Sequence, residues 1–387
     1  MIDDSFKKKV VALKDLGFVG LADIGGRAIS AVFWFYIVTL MSATEYGLLN
    51  YYVGIASLAQ LISLVGTTNA LTVFVSKGIK IQSTFFVISL IASSISAIIL
   101  FVIFQRLDMI FLLMMIIVSD SVSGVLLGKK SYSIYTCYNL IQKALQIVLG
   151  VGFLHMFGLN GIIYGIAASY LLFIPLFYKL SRETRFDLAL LRGKKNFIIS
   201  NYVVMLTSGF RRDIDKLIIP TILGFTALGH FSLAVQVYTL LMTASMSFFK
   251  YILPQDAAGN QNKKLKNFVV LITIILVAIG IITLPTIISR LFPKFIESIE
   301  IIQIMTLSVI PATINMIHYS KFTALEKGRL VLIITAAQLV TMALGFIILG
   351  SIFEMTGIAI SFVLSFTVAA LCGVYLNRLI KNENVES

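Results

Sequence analysis

The chain has 387 residues, 58% of them hydrophobic and only 13% charged, with a formal net charge of +13 and a mean hydropathy of +0.97. Soluble globular domains run nearer about 45–50% apolar and about 25% charged, so this chain has too little polar surface to cover a folded body in water. The composition excludes an ordinary soluble enzyme and points to a bilayer. The basic balance, which in a soluble protein would suggest nucleic acid, is read here through its placement, and no nucleic-acid partner is expected.

The N-terminus, MIDDSFKKKVVALKD, is basic and runs into an apolar segment with no small-residue cleavage site, the pattern of an uncleaved signal-anchor. Crossing the hydrocarbon core as a helix takes about twenty apolar residues. Runs of that kind centre on 17–40, 46–70, 84–104, 109–127, 132–154 and 159–179. They resume at 197–223, 228–250, 267–289, 299–319, 329–350 and 355–377. About twelve spans are therefore expected, in an all-α polytopic membrane protein. KLSRETRFDLALLRGKKN (179–196) is the one stretch that reads as a linker. It divides the chain into an N-terminal lobe (1–180), a cytoplasmic linker (181–196) and a C-terminal lobe (197–387), each lobe with about six helices. No other segment is long enough for a soluble catalytic domain, so a transporter is expected rather than an enzyme.

Lysine and arginine decide the orientation. Only Arg106, Arg290 and Lys294 fall in odd-numbered loops, and Arg27, Lys143, Arg211, Arg212 and Lys216 fall within spans. Every other Lys and Arg lies at the N-terminus, in an even-numbered loop or at the C-terminus. Positive residues near span ends stay in the cytoplasm, so both termini are expected there, in a multi-pass protein of the cell membrane.

The halves resemble each other. FYIVTLMSATEYGLLNYY (35–52) lies over LIIPTILGFTALGHFSLA (217–234), matching Thr39 with Thr221, Thr44 with Thr226 and Gly47 with Gly229. Further on, Gln142 matches Gln338, Gly161 matches Gly357, Ile162 matches Ile358 and Ser169 matches Ser365. An even number of spans per half brings both halves in from the same side, so the repeats are parallel, about an axis along the membrane normal.

DIDKLIIPTILGFTALGHFSLAVQVYTLL (213–241) resembles the signature region of polysaccharide flippases in the multidrug/oligosaccharidyl-lipid/polysaccharide exporter superfamily. There an Asp opens an apolar run, followed by a Gly, a short outer turn and a Gly–aromatic–Ser–Leu–Ala start to the next span. Asp215, Gly224, Gly229, Phe231, Ser232, Leu233 and Ala234 fit that pattern. SATEYGLLNYY (42–52) is similar to the first outer turn of the same family, where a Tyr-Gly pair starts span two. Two features depart from the pattern. The peptidoglycan-precursor flippases of the superfamily carry two further spans, and Ala43-Thr44-Glu45 stands where Pro or Gly-Pro usually precedes Tyr-Gly. The resemblance implies a MATE-like fold of two pseudo-symmetric lobes. It also implies a flippase that moves a polyprenyl-phosphate-linked glycan by alternating access, with H⁺ or Na⁺ as coupling ion and membrane lipids as its surroundings. The alternative is a cation-coupled exporter of drugs or metabolites of the MATE branch.

Ionisable side chains within a span cost at least about 2.5 kcal/mol each and normally face a partner or a wet cavity. Span 1 carries Asp23 and Arg27 on one helical face with Ser30 and Trp34. Span 4 carries Asp120 with Ser123, and span 5 a polar stripe of Asn139, Gln142, Lys143 and Gln146. Span 7 carries Ser208, Arg211, Arg212, Asp213, Asp215 and Lys216. In the functional reading, these spans line a cavity between the lobes. Arg27, Arg211, Arg212 and Lys143, with Gln142, then hold a lipid pyrophosphate, because guanidinium forks match phosphate oxygens. Asp23, Asp120 and Asp215 then pair with the cations or take a coupling ion. In the competing reading the charges are internal ion pairs, Asp23 with Arg27 and Arg211 with Asp215, each four residues apart.

Other features carry less. GVLLGKKS (124–131) has three residues between its glycines where a phosphate loop needs four, and is rejected. His155, His230 and His318 are expected on opposite sides of the membrane, so no metal site is expected from them. Cys137 and Cys372 lie in apolar runs and define neither a disulfide framework nor a metal cluster. No cofactor is expected. Pro220, Pro285 and Pro311 fall within spans and are expected to kink them.

Overall fold

The computed structural model describes residues 20, 22, 25–257, 263–325 and 327–386, and every regular element among them is helical. In chain order these are α1 (Gly25–Leu40), α2 (Ala43–Ser63), α3 (Thr68–Ser76), α4 (Gln82–Phe104), α5 (Leu107–Gly128) and α6 (Tyr132–Phe157). Then follow α7 (Leu159–Ser181), α8 (Lys195–Asp213), α9 (Asp215–Ala257), α10 (Lys263–Leu291), α11 (Ser298–Ala324) and α12 (Gly328–Glu386). The long apolar helices α4 to α7, α10 and α11 each correspond to one expected span. α1 is the described part of the first expected span, and the remaining ones adjoin breaks in the helices. α2 and α3 form one crossing bent by 40°. α8 and the first arm of α9 form another, and α9 and α12 are each double. Gly224 (φ 82°, ψ 178°) divides α9, and Phe353 with Glu354 (φ 50°, ψ −129°) divides α12. The chain is a polytopic all-α membrane protein with about twelve crossings, consistent with the exposed Ile98, Val102, Ile103, Ile282 and Leu371 along its helices.

The local causes of these breaks are readable. Gly66 sits where a Cβ would lie 2.4 Å from the Phe85 ring, so the aromatic side chain occupies the space at the bend. Thr67 then caps α3, its side chain accepting from the Ala70 amide at 2.9 Å. α2 begins with a reciprocal cap. The Ser42 amide donates to Glu45 Oε2 at 2.8 Å, and the Glu45 amide donates to Ser42 Oγ at 3.3 Å, satisfying donors the helix start would otherwise leave open.

The chain divides into two compact units, one of residues 1–34 and 52–206, the other of 35–51 and 207–387. In the first unit, α3 lies close to α5 through Gly124 and Gly128, where an added Cβ would meet the Thr68 carbonyl oxygen at 3.0 Å and that of Thr72 at 2.8 Å. Small residues let membrane helices approach in this way. α7 packs on α6 at Gly161 and Gly165, whose Cβ atoms would lie 2.1 and 2.4 Å from the carbonyl oxygens of Phe153 and Leu149. The stretch after α7 is bonded down onto α4: Ser83 Oγ donates to the Ser181 carbonyl at 2.7 Å, and the Asp187 amide donates to Thr84 Oγ1 at 3.0 Å. In the turn between α4 and α5, Arg106 binds Asp108 and Asn160 and lies 4.0 Å over the Tyr52 ring. Its pairing with Asp108 raises its affinity for the proton further.

The second unit contains the start of α2, packed on the start of the second arm of α9. A Cβ at Gly47 would lie 1.8 Å from the Phe225 carbonyl oxygen, and a Cβ at Gly229 would lie 1.9 Å from that of Ala43. Thr44 and Thr226 share a hydrogen bond of 2.7 Å. These are the residues that the internal repeat superimposes, so the two copies meet at equivalent positions. The same repeat sets the α12 packing. Gly357 would place a Cβ 1.9 Å from the Leu349 carbonyl oxygen, as Gly161 does with Phe153 in the first unit.

Candidate functional site

In the first unit, α1 lies along α6. A Cβ on Gly25 would be 3.2 Å from Leu140 Cδ2, one on Gly26 3.9 Å from Lys143 Cγ, and one on Gly150 2.7 Å from the Phe33 ring. These glycines bring the start of α1, with the exposed Arg27, onto the polar stripe of α6. Asp120 on α5 accepts a hydrogen bond from Gln60 Nε2 of α2 and lies within electrostatic reach of Lys143. Lys143 Nζ donates to Gln146 Oε1 at 3.2 Å. Gln142 is buried, and its Nε2 donates to Ser169 Oγ of α7 at 2.8 Å, so this amide ties two helices together. Asp23 lies outside the described residues.

In the second unit, α8 ends at Asp213 and α9 starts at Asp215, with the Ile214 carbonyl accepting from the Leu217 and Ile218 amides. That step in the chain decides the pairing. Lys216 Nζ lies 3.4 Å from Asp213 and 2.9 Å from Asp215, both carboxylates being buried. Arg212 Nε donates to Asp213 Oδ2 at 2.9 Å, while 61% of its side chain stays exposed. Among the described residues, the ion pairs at this step are thus Arg212–Asp213, Lys216–Asp213 and Lys216–Asp215.

Arg211 is placed differently. Among the described residues its buried Nε has no hydrogen-bond partner, and Tyr238 of α9 and Tyr319 of α11 lie within electrostatic reach of the guanidinium. Asn315, one turn before Tyr319 on α11, also buries an Oδ1 with no partner among the described residues. Buried polar atoms are nearly always hydrogen-bonded, so each exception asks for an explanation. The structure therefore brings Lys143, Asp120 and Gln142 together in one unit, and Arg211, Arg212 and Asp215 in the other. Gln60, Lys216, Tyr238 and Tyr319 join them without having been picked out as site residues from the sequence. A local signal existed for Lys216 alone, as a cation beside two carboxylates.

No family model matches the sequence, and no curated protein matches it. Solved structures do match its fold. An inward-facing multidrug resistance MATE family transporter of the MOP superfamily superposes with a TM-score of 0.71 at 16% identity, covering 94% of this chain and 95% of that one. The lipid II flippase MurJ in an inward closed conformation gives a TM-score of 0.79 at 12% identity, over 94% of this chain and 87% of the other. A MATE in complex with MaL6 gives 0.65 at 15% identity, over 96% and 97%. The chain has the fold shared by MATE transporters and MurJ.

Proposed function

We propose that the chain is a flippase of the polysaccharide branch of this fold's superfamily. It would carry a lipid-linked oligosaccharide across the cell membrane by alternating access, both termini being cytoplasmic. The observation that carries the reading is Arg211, whose buried Nε has no hydrogen-bond partner among the described residues and whose guanidinium has Tyr238 and Tyr319 within electrostatic reach. A diphosphate accepts from a guanidinium in paired, charge-assisted bonds, and a sugar hydroxyl both donates and accepts. Arg211 and Arg212 would hold the phosphate head of a polyprenyl-phosphate-linked glycan, and Arg27 and Lys143 of the first unit are proposed as phosphate contacts in their own right. Gln142 keeps α6 in register for Lys143. H⁺ or Na⁺ is taken up at Asp120 or Asp215, where neutralising the carboxylate loosens its tie to Gln60 or to Lys216. The lobes are those delimited by the linker at 181–196.

A drug or metabolite exporter of the MATE kind shares the fold. A site for organic cations needs carboxylates free to receive them, whereas Asp213 and Asp215 are engaged by Lys216 and Asp120 is engaged by Gln60. That favours the anionic substrate. The test is glycan export in a strain lacking the protein. Arg211→Glu and Arg212→Glu should each reach the membrane in normal amount while intact lipid-linked units build up on the cytoplasmic leaflet. Full export by both variants would sink the head-group assignment.

A further inference from the structure

His230 takes no part in the cation sites. It is buried at the start of the second arm of α9, one residue past the contact of Gly229 with Ala43. Its Nδ1 lies 2.7 Å from the hydroxyl of Ser298, the first residue of α11, and its Nε2 lies 3.3 Å from Glu297 Oε2. The ring meets Phe295 edge to face at 5.6 Å, and Phe295 meets Tyr46 of α2 in the same manner at 5.9 Å. Ser298, Phe295 and Tyr46 are fully buried, whereas 84% of the Glu297 side chain is exposed. A carboxylate only accepts, so with Glu297 at Nε2 a neutral ring carries its hydrogen there and leaves Nδ1 to accept from the Ser298 hydroxyl. Among the described residues that hydroxyl makes no other hydrogen bond.

A second proton would land on Nδ1. Both ring nitrogens would then donate, and the Ser298 hydroxyl would have to turn its own hydrogen into a buried place without an acceptor. The added charge would face a carboxylate screened by water. Among the described residues Glu297 is the charged group within electrostatic reach of the ring. On the neighbouring elements, Glu45 of α2 is bonded to Ser42 and has Lys294 within electrostatic reach, and Glu300 of α11 accepts from Thr356 of α12. We infer that His230 is a proton-operated latch. Neutral, it ties the second arm of α9 to the first turn of α11. Protonated, it gives up Ser298, turns towards Glu297 and water, and frees that turn. The proton arrives from the side of the turn between α10 and α11, which is the outer side in the orientation proposed above. Ser298 is fully buried, so the row of Ser298, His230 and Glu297 acts as a tie and not as a nucleophile.

The experiment uses the full chain in lipid nanodiscs and reads amide hydrogen exchange by mass spectrometry over residues 293–306. The buffers are held at about pH 7.5 and about pH 5, on either side of the ordinary imidazole range. After correction for the intrinsic rate, wild type should exchange roughly fivefold faster in acid, as expected for the loss of about one hydrogen bond. His230→Gln, which does not titrate in this range, should show no such change. Ser298→Ala should exchange in the neutral buffer as fast as acidified wild type, with no further gain in acid, because its tie is already gone. A wild type without an acid response refutes the latch, as does an equal response in His230→Gln. Should His230→Gln not fold, Ser298→Ala decides: protection equal to that of wild type in the neutral buffer, or an acid response equal to that of wild type, refutes it too. The measurement needs no substrate, so failure here leaves the Arg211 reading standing.

Discussion

Substituting Gly47 by alanine tests whether the two starts of the internal repeat are held backbone against backbone. The new Cβ would arrive 1.8 Å from the Phe225 carbonyl oxygen and 2.9 Å from the Gly229 amide nitrogen. Neither neighbour is the end of a flexible side chain, so the helices must part by more than about 1 Å, in an interior packed as densely as a crystal. Overpacking of this kind costs about 1–3 kcal/mol. The separation also breaks the Thr44–Thr226 hydrogen bond, worth about 0.5–1.5 kcal/mol. Together the loss is about 1.5–4.5 kcal/mol, a fall in Tm of roughly 2–6 °C for a chain of this length. Gly229→Ala should do the same, since its Cβ would meet the Ala43 carbonyl oxygen at 1.9 Å. Gly152, also helical, has no neighbour within 4 Å of an added Cβ, so Gly152→Ala should gain about 0.5–1 kcal/mol. Thermal unfolding in detergent, followed by loss of the monodisperse peak, separates the three variants. If Gly47→Ala melts with wild type, the close approach described here does not hold.

Three further outcomes are expected. Glu354 has φ 50° and ψ −129° at the position where the repeat places Gly158, so Glu354→Gly should relieve backbone strain of about 1–3 kcal/mol and raise Tm. An unchanged or lower Tm would show that the turn tolerates the side chain. Lys216→Met strips the cation from two buried carboxylates and should cost about 3–5 kcal/mol. Adding Asp213→Asn and Asp215→Asn should recover much of the loss, whereas no recovery would mean Lys216 matters for some other reason. Ser42→Ala, which removes the side-chain half of the reciprocal cap on α2, should cost about 1 kcal/mol and lower Tm; an unchanged Tm would argue against the cap.

The helices were largely legible because apolar length needs no tertiary knowledge. A bilayer demands about twenty such residues wherever a span falls, and breaks at Gly66, Gly224 and Gly158 carry their own residue types. The pairing of charges was not legible. Spacing by four joins Arg211 to Asp215 only on a continuous helix, and the turn at Ile214 shifts that register so that Lys216 takes both carboxylates. Gln60 meets Asp120 from a helix sixty positions away, with no periodicity to announce it. Arg211 was legible as a cation within a span, but its open donor appears only once Tyr238 and Tyr319 are in place.

The contact that joins α6 to α7 at Gly165 and Leu149 recurs within α12 between Ser361 and Gly345, at matching positions of the repeat but with the glycine on the opposite partner. Each copy has solved the same crowding by thinning a different side, so the inheritance is a distance and not a residue. Grafting Leu149 onto position 345 would therefore set a bulky side chain against Ser361, and only the reciprocal exchange, Gly345→Leu with Ser361→Gly, keeps the pair interlocking.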